Sequence, residues 1–404
     1  MNNKLFSFLL GNIGVFGIRF FYFIILTFTL SVQELASFTT SISICSIILC
    51  LCTYGSYNLF MRRKAKGEDG KIIIGEYLIS SLIFLIIVTF TLCIIFLFID
   101  ISIKPSDLII ILISEYSFTA IPGIFKSYAL SEYDKNIFID SVTNIISSCV
   151  LTISSLFLLY LEKDNLYSTW VNIYFIVSII SILFRLFIWR NKISFPPFLS
   201  IPNLILAQIK LGHSFMISSV FRNAYLNVDK ILIYSIFGKE IAGWYAISYR
   251  FFNVFLMLLN SISSVKEAKL YQFAEESKAK LNIEFKEIQY LTIKYYFYSI
   301  PFWFITAIGL YFYYPIECVY IFISFFFLCP LQLLSLSKLN LLNSISLERY
   351  RLIFMILGFL LNVLVSFILS IYLTWPAIVI GLSVSSLAIL VPGYFLFNRK
   401  YLSP

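Results

Sequence analysis

Four cationic side chains lie deep within long apolar runs of this chain: Arg19, Arg222, Arg250 and Lys230. An arginine at the centre of a helix in a bilayer costs about 2.5–3.5 kcal/mol on insertion scales, so such residues are retained chiefly for function. The rise of about 1.5 Å per helical residue places the three arginines at a similar depth. Only two acids, Asp229 and Glu115, lie well inside such runs. This surplus of positive charge predicts an anionic ligand or a water-filled cavity.

Polar side chains accompany these cations at helical spacing. One face of a single run, at three- and four-residue steps, carries Ser218, Arg222, Tyr225 and Asp229. The neighbouring strip carries Asn223, Asn227 and Lys230, and the next run repeats the pattern with Arg250, Asn253, Met257 and Asn260. Guanidinium groups match phosphate oxygens, and amides suit sugar hydroxyls. The candidate ligand-binding residues are therefore Arg19, Arg222, Arg250, Lys230, Asn223, Asn227 and Asn253.

Each candidate also has a purely structural interpretation. Arg222 and Asp229 could form an ion pair within the helix bundle, and Arg19 could anchor two helices to each other. Lys230 lies close enough to the end of its run for its ammonium to snorkel to the membrane surface. Glu115 could be a protonated, hydrogen-bonded helix contact. Three arginines at one depth are nevertheless hard to explain by structure alone.

The elements that hold these residues are predicted to be transmembrane helices. The chain is 60% hydrophobic and 13% charged, and apolar runs of about 20 residues follow one another, each long enough to cross a bilayer. Backbone amides inside a bilayer must be satisfied within their own segment, which favours helices. We predict an all-α membrane protein with twelve spans, at approximately 6–30, 36–60, 72–99, 107–128, 137–161, 167–189, 211–237, 241–264, 290–312, 316–337, 351–373 and 376–397.

The placement of Lys and Arg predicts the orientation. Alternate connections carry 23 of the 30 Lys and Arg residues, and the opposite connections carry three, Lys104, Lys163 and Lys239. By the positive-inside rule, both termini are cytoplasmic. The formal charge of +9 therefore reflects topology and not nucleic-acid binding. The first run has no cleavage site after it, so we expect a retained helix and not a signal peptide.

The chain is predicted to contain two six-helix lobes, 1–195 and 196–404, around a central cavity. The joint is a cytoplasmic link at 190–203 with three prolines, and an even division of spans is typical of duplicated transporters. The longest hydrophilic stretch, 266–294, is interpreted as a solvated amphipathic helix. A single histidine, His213, and seven cysteines without metal spacing give no basis for a metal site or a histidine-based enzyme.

Three segments resemble the flippases of polysaccharide repeat units, the O-antigen and capsule translocases of the multidrug/oligosaccharidyl-lipid/polysaccharide exporter superfamily. The clearest is residues 227–238, with Asp229 before an apolar run and Gly238, followed by Gly243-Trp-Tyr and Arg250. Weaker matches are residues 129–136, and Tyr54-Gly-Ser-Tyr-Asn58 with Arg62-Arg63. The likeness covers the whole chain in topology but specific residues in about a tenth of it.

The resemblance implies an alternating-access transporter of the bacterial cytoplasmic (inner) membrane. Its substrate would be an undecaprenyl-pyrophosphate-linked oligosaccharide used for O-antigen lipopolysaccharide or capsule. Arg19, Arg222 and Arg250 would hold the diphosphate, while Asp229 and Glu115 would couple transport to H+ or Na+ as an antiporter, without another cofactor. Membrane lipids surround such a protein, and candidate partners are a polysaccharide polymerase and a chain-length regulator. The family often has more cationic residues in its cavity than this chain has. This difference leaves two explanations open: the sugar unit carries no charge, or other polar groups such as Gln332 and Asn362 contribute to binding.

Three other functions fit the composition less well. A membrane-embedded glycan polymerase or transferase usually carries a large external loop, whereas here the long loop is cytoplasmic. In a drug antiporter of the same superfamily we would expect more acidic residues than arginines inside the membrane, which is the opposite of what this sequence contains. A peptidoglycan-precursor flippase would bind its substrate through the same kind of buried positive charge, and charge alone does not distinguish it from a repeat-unit flippase.

Overall fold

The computed structural model describes residues 3–98, 103–131, 134–161, 166–345 and 347–397. Helices account for almost all of these residues, as the apolar runs predict. The α-helices are α1 Asn3–Thr29, α2 Val32–Thr53, α3 Ser56–Ala65, α4 Gly70–Ile95, α5 Pro105–Glu115, α6 Ile121–Ser131, α7 Asp134–Leu156, α8 Leu166–Trp189, α9 Ile201–Glu276, α10 Lys278–Tyr313, α11 Ile316–Ser344, α12 Glu348–Leu369 and α13 Pro376–Phe397. Arg399 and Lys400, which are two of the 23 basic residues that predict the orientation, lie outside the described residues.

Nine segments of the described chain are long and apolar enough to cross a membrane. One of them, Phe198–Asn260, contains the seventh predicted span and most of the eighth. A shorter apolar helix, Gly14–Thr29, covers most of the first span. The ninth predicted span forms the tyrosine-rich second part of α10 and is not among the nine, so its crossing stays a prediction.

The helices are irregular at three places, one between two predicted spans and two within predicted spans. Gly238 has φ 83° within α9 and separates spans seven and eight where a turn was predicted. Tyr54 and Gly55, with φ 45° and 74°, end α2 and begin α3, so the second span is not one continuous helix. A π-helical turn, Tyr116–Ala120, joins α5 to α6 within the fourth span. π-Turns inside helices are frequent at functional sites.

The structure divides into two compact units, Met1–Asn223 and Ala224–Pro404. In the first unit α1 packs along α7, α2 against α4 and α5, and α5 against α8. Its core is aromatic: the Trp170 ring lies 5.5 Å from Tyr22 and 5.7 Å from Tyr174, centroid to centroid. The Thr152 hydroxyl of α7 also donates to the Ile18 carbonyl of α1, at 3.2 Å.

In the second unit α13 packs against both α11 and α12, and α10 packs along α11. Phe252 of α9 stacks on Phe325 of α11 with ring centroids 4.8 Å apart, and the Ser248 hydroxyl donates to the Cys318 carbonyl at 2.8 Å. These contacts hold the later part of α9 within the unit.

The unit boundary lies inside α9 and not at the proline-bearing link. The start of α9 packs on the α2–α3 junction, because a Cβ on Gly212 would lie 2.5 Å from the Tyr54 carbonyl oxygen. The link itself is fixed to α4, since the Ser194 N–H donates to the Lys71 carbonyl at 3.0 Å. The predicted division into lobes 1–195 and 196–404 concerns an internal repeat, and it stays a prediction.

The hydrophilic stretch at 266–294 is divided between α9 and α10, and its α10 part is amphipathic with one solvated face. From Lys278 it is continuous with the rest of α10. Leu281, Phe285 and Ile288 are buried, while Lys280 and Lys286 are exposed. One face of this amphipathic segment therefore packs on protein. The side chains of residues 261–269 lie outside the described set.

Candidate functional site

Arg222 is the most accessible of the predicted arginines. Its side chain is exposed and forms no hydrogen bond or ion pair with any residue that the structure describes. The adjacent Asn223 side chain turns toward α2. Its Nδ2 donates to Cys50 Sγ of α2 at 3.0 Å and to the Ser219 carbonyl of its own helix, α9, at 3.0 Å. Asn223 is thus engaged in packing, whereas the Arg222 guanidinium keeps its donors available.

Arg19 is partly buried beside the π-helical turn. Its Nη2 donates to the Phe118 carbonyl at 3.3 Å, which is long for a hydrogen bond, and its Nε is buried without a hydrogen-bond partner. The carbonyl is available because residue 122, which would donate to it in an α-helix, is a proline without an N–H. The anchoring role weighed above is therefore present, but it uses only one of the five guanidinium donors.

Glu115 lies at the start of the π-helical turn and is 6% exposed. The Tyr174 hydroxyl of α8 donates to Glu115 Oε1 at 2.5 Å. Tyr116, the next residue, shares a hydrogen bond of 2.7 Å with Ser81 of α4. The structure thus places Glu115 in a hydrogen-bonded helix contact, and its role in coupling stays a prediction.

Asp229 and Lys230 form a buried ion pair in the second unit. Lys230 Nζ lies 3.1 Å from Asp229 Oδ1, donates to the Leu226 carbonyl at 2.8 Å and lies 3.7 Å from the centroid of the Tyr249 ring. The Tyr245 hydroxyl donates to Asp229 Oδ2 at 2.6 Å. Lys230 therefore does not snorkel to the membrane surface, and Asp229 pairs with Lys230 and not with Arg222.

The three remaining candidates lie on α9, on either side of the break at Gly238. Asn227, Arg250 and Asn253 are all partly exposed. Asn253 makes no hydrogen bond within the described part of the chain, whereas Asn227 and Arg250 do have partners. The structure assigns Arg19 and Glu115 to the first unit, with Arg222 and Asn223 at its end, and the other candidates to the second. Their meeting in one central cavity stays a prediction.

A buried polar network in the first unit was missed by the sequence analysis. Arg185 Nη1 lies 2.9 Å from Asp140 Oδ1, and its Nη2 lies 2.6 Å from Asn144 Oδ1. Asn144 in turn donates to Asp140 Oδ2 at 3.1 Å. The spacing of Asp140 and Asn144, one helical turn apart, and the apolar residues around Arg185 were the available signals.

Arg185 and Lys338, which are two of the 23 basic residues assigned to the cytoplasmic connections, are buried inside helices. Arg185 of α8 is 2% exposed and Lys338 of α11 is 1% exposed. Lys338 Nζ lies 4.8 Å from the ring centroid of Phe285 and 5.3 Å from that of Tyr394. Arg185 lies inside the predicted span 167–189, and α11 continues past the predicted end of its span at residue 337. The buried positive charge therefore exceeds the four cations first counted.

Outside the membrane-spanning helices, α3 carries a strongly held arginine. Burial disfavours the charged form of Arg63, but hydrogen bonds to Glu68 and Glu76 outweigh it and raise the pKa of Arg63 above its ordinary value. Neighbouring Arg62 lies 4.5 Å over the Phe215 ring of α9. These contacts fix α3 against both α4 and the start of α9.

Comparison with known proteins identifies both the family and the fold. A family model described as polysaccharide biosynthesis protein matches residues 2–266. No curated protein matches the chain.

Among solved structures, an inward-facing multidrug resistance MATE family transporter of the MOP superfamily has a TM-score of 0.69 at 14% identity, covering 95% of this chain and 94% of the other. A MOP superfamily transporter from Pyrococcus furiosus, described as having a binding pocket of reverse polarity, has a TM-score of 0.67 at 13% identity, with coverage of 98% and 94%. At these identities the likeness shows the fold alone.

Proposed function

Because the chain belongs to the polysaccharide biosynthesis protein family and has the fold of MOP superfamily transporters, we propose that it is a flippase for a polyprenyl-pyrophosphate-linked oligosaccharide. It would carry this repeat unit of O-antigen or capsule from the inner to the outer leaflet of the bacterial cytoplasmic membrane by alternating access. The family and fold support a membrane transporter and not an enzyme, which makes the glycan polymerase or transferase the weaker alternative.

The exposed guanidinium of Arg222 is the observation that carries this proposal. It lies in a segment apolar enough to span a membrane, and it has no counter-ion among the described residues. Acyl chains would penalise such a group, whereas a pyrophosphate would accept its paired N–H donors. Arg19 and Arg250 are proposed as further ligands of the same anionic head group, and Asn227 and Asn253 as ligands of the attached sugars.

Coupling to an H+ or Na+ gradient is part of the proposal. Asp229 and Glu115 are both buried carboxyl groups with a tyrosine hydroxyl as donor. A carboxyl group held by a tyrosine can exchange a proton or a cation when its surroundings change. A drug antiporter of the same superfamily would need the same coupling residues but has no evident use for the free Arg222.

Replacing Arg222 tests the flippase directly. We expect Arg222→Ala to insert normally but to abolish surface glycan, with lipid-linked repeat units accumulating in the inner leaflet. Arg222→Lys should retain intermediate export, because the charge stays but the bidentate fork is lost. The matched control is Arg190→Ala, which removes an exposed arginine at the end of α8. Full glycan export by Arg222→Ala at normal expression would refute the role of Arg222.

A further inference from the structure

A small cavity lies within the first unit, between α1, α6 and α7. Its volume is about 200 Å³. That volume corresponds to roughly seven water molecules and is below the range of about 300–1,000 Å³ that drug-sized ligands occupy. The cavity is partly open, so it can hold one ring-sized group of a larger ligand but cannot enclose an oligosaccharide or a large drug.

The two sides of the cavity differ in chemistry. Asp140, Ser141 and Asn144 line it from α7 and offer a carboxylate, a hydroxyl and an amide within little more than one helical turn. Val15 of α1 and Pro122 of α6 line it with apolar surface. A pyranose ring has the same division, with C–H groups on its faces and hydroxyls around its rim that both donate and accept hydrogen bonds.

The polar side is held rigidly from behind. Arg185 does not line the cavity, but its guanidinium binds both Asp140 and Asn144 at 2.9 and 2.6 Å. Arg185 is 2% exposed, so this support is fully enclosed by protein. A binding surface whose side chains are fixed in advance loses little conformational entropy when a ligand arrives.

The charge on the cavity surface favours a neutral group. Lys126 and Asp140 both line it, and Asp140 also pairs with Arg185 behind the surface, so the carboxylate already has a cationic partner. A phosphate could bind Lys126 but would also meet the Asp140 carboxylate, and an apolar cation would cover the Ser141 hydroxyl without offering it a hydrogen-bond partner. An uncharged, hydroxyl-rich ligand meets neither penalty.

We infer that this cavity binds one uncharged sugar residue of the transported lipid-linked oligosaccharide. The inference rests on the proposed function and assigns to the first unit a sugar subsite that is separate from Arg222. Its contacts would come from Asp140, Ser141 and Asn144, with the ring lying against Val15 and Pro122.

Gly123 provides a way to fill the cavity without disturbing the fold. It lines the cavity from α6, and a Cβ built on it meets no atom within 4 Å. Leucine is also a better helix former than glycine. Gly309→Leu is the matched control, because Gly309 is helical too and its Cβ likewise meets nothing within 4 Å.

The experiment measures binding of two probes to the full-length protein in lipid nanodiscs. One probe is the lipid-linked repeat unit extracted from the producing cells, and the other is undecaprenyl pyrophosphate without sugar. We expect Gly123→Leu to weaken binding of the repeat unit by at least tenfold and to leave undecaprenyl pyrophosphate unchanged. Gly309→Leu should change neither, and Arg222→Ala should weaken both.

Ser141→Ala gives a second test with almost no change in volume. Loss of one hydrogen bond should weaken repeat-unit binding by about two- to tenfold, again without affecting the sugar-free lipid. If both variants bind the repeat unit as well as the wild type, the sugar subsite is refuted while the flippase stands. Equal weakening of both probes by Gly123→Leu would also refute it, since the cavity would then serve the lipid pyrophosphate. Failure of the wild type to bind either probe would refute the proposed function itself.

Discussion

Asp229 and Lys230 are adjacent in the chain, yet their side chains meet at 3.1 Å. Neighbouring residues on a helix normally point about 100° apart, so the long lysine side chain has to bend back to reach the carboxylate. Tyr245 and Tyr249 complete the shell around the pair. A pair enclosed in this way is costly to break, because removing one partner leaves the other as an uncompensated buried charge.

Replacing Asp229 separates a coupling role from a structural one. Asp229→Asn alone should lower the free energy of unfolding in detergent by about 3–5 kcal/mol, because Lys230 loses its counter-ion. Asp229→Asn with Lys230→Gln removes both charges and should recover most of that loss. If Asp229 couples transport, the double variant should no longer respond to an imposed pH or Na+ gradient. A gradient dependence like that of the wild type would assign the pair a structural role only.

The π-helical turn at Tyr116–Ala120 shows how an element can position a charged side chain. Pro122 follows this turn and provides no N–H for the Phe118 carbonyl, which instead accepts from Arg19 of α1. Glu115 begins the same turn and meets Tyr174 of α8. One irregular turn therefore orients both a candidate anion-binding residue and a candidate coupling residue.

Pro122→Ala should release Arg19 by returning an N–H that competes for the Phe118 carbonyl. We expect reduced glycan export with no loss of thermal stability, since the helix gains a hydrogen bond. Because Pro122 also lines the proposed sugar cavity, the two changes are compared by binding of sugar-free undecaprenyl pyrophosphate, which Pro122→Ala/Arg19→Ala should bind no more weakly than Arg19→Ala alone. Pro330→Ala, inside α11, is the control for removing a proline from a helix. Additive losses in the double variant would show that Pro122 acts independently of Arg19.

At the scale of the whole molecule, the predicted orientation places Lys239 and Lys192 on opposite sides of the membrane. Both residues are exposed. In a background without the accessible thiols of Cys93 and Cys149, Lys239→Cys should react with an impermeant maleimide in intact cells. Lys192→Cys should react only after the membrane is permeabilised. The reverse pattern would invert the assigned topology.

Apolar run length and helical periodicity were enough to predict the all-α membrane fold, because bilayer thickness fixes the length of each span. The break at Gly238 was also predictable, since a glycine between two apolar runs favours a turn. The partners of the charged residues were not predictable. Arg185 and Asp140 lie 45 positions apart on different helices, and only tertiary packing brings them together. The same holds for the contact between Arg19 and Phe118.

The different exposure of the arginines has a consequence for ionic strength. Mobile ions screen charges that face solvent over a Debye length of about 10 Å at 0.1 M salt, but they have little access to an enclosed pair such as Arg185 and Asp140. If Arg222 lines the proposed water-filled cavity, its attraction for an anionic lipid head should weaken as salt is added, while hydrogen bonds from the surface that Arg185 supports should persist. Surroundings of high salt would thus lower the affinity for the lipid anchor while the selectivity among the attached glycans is retained.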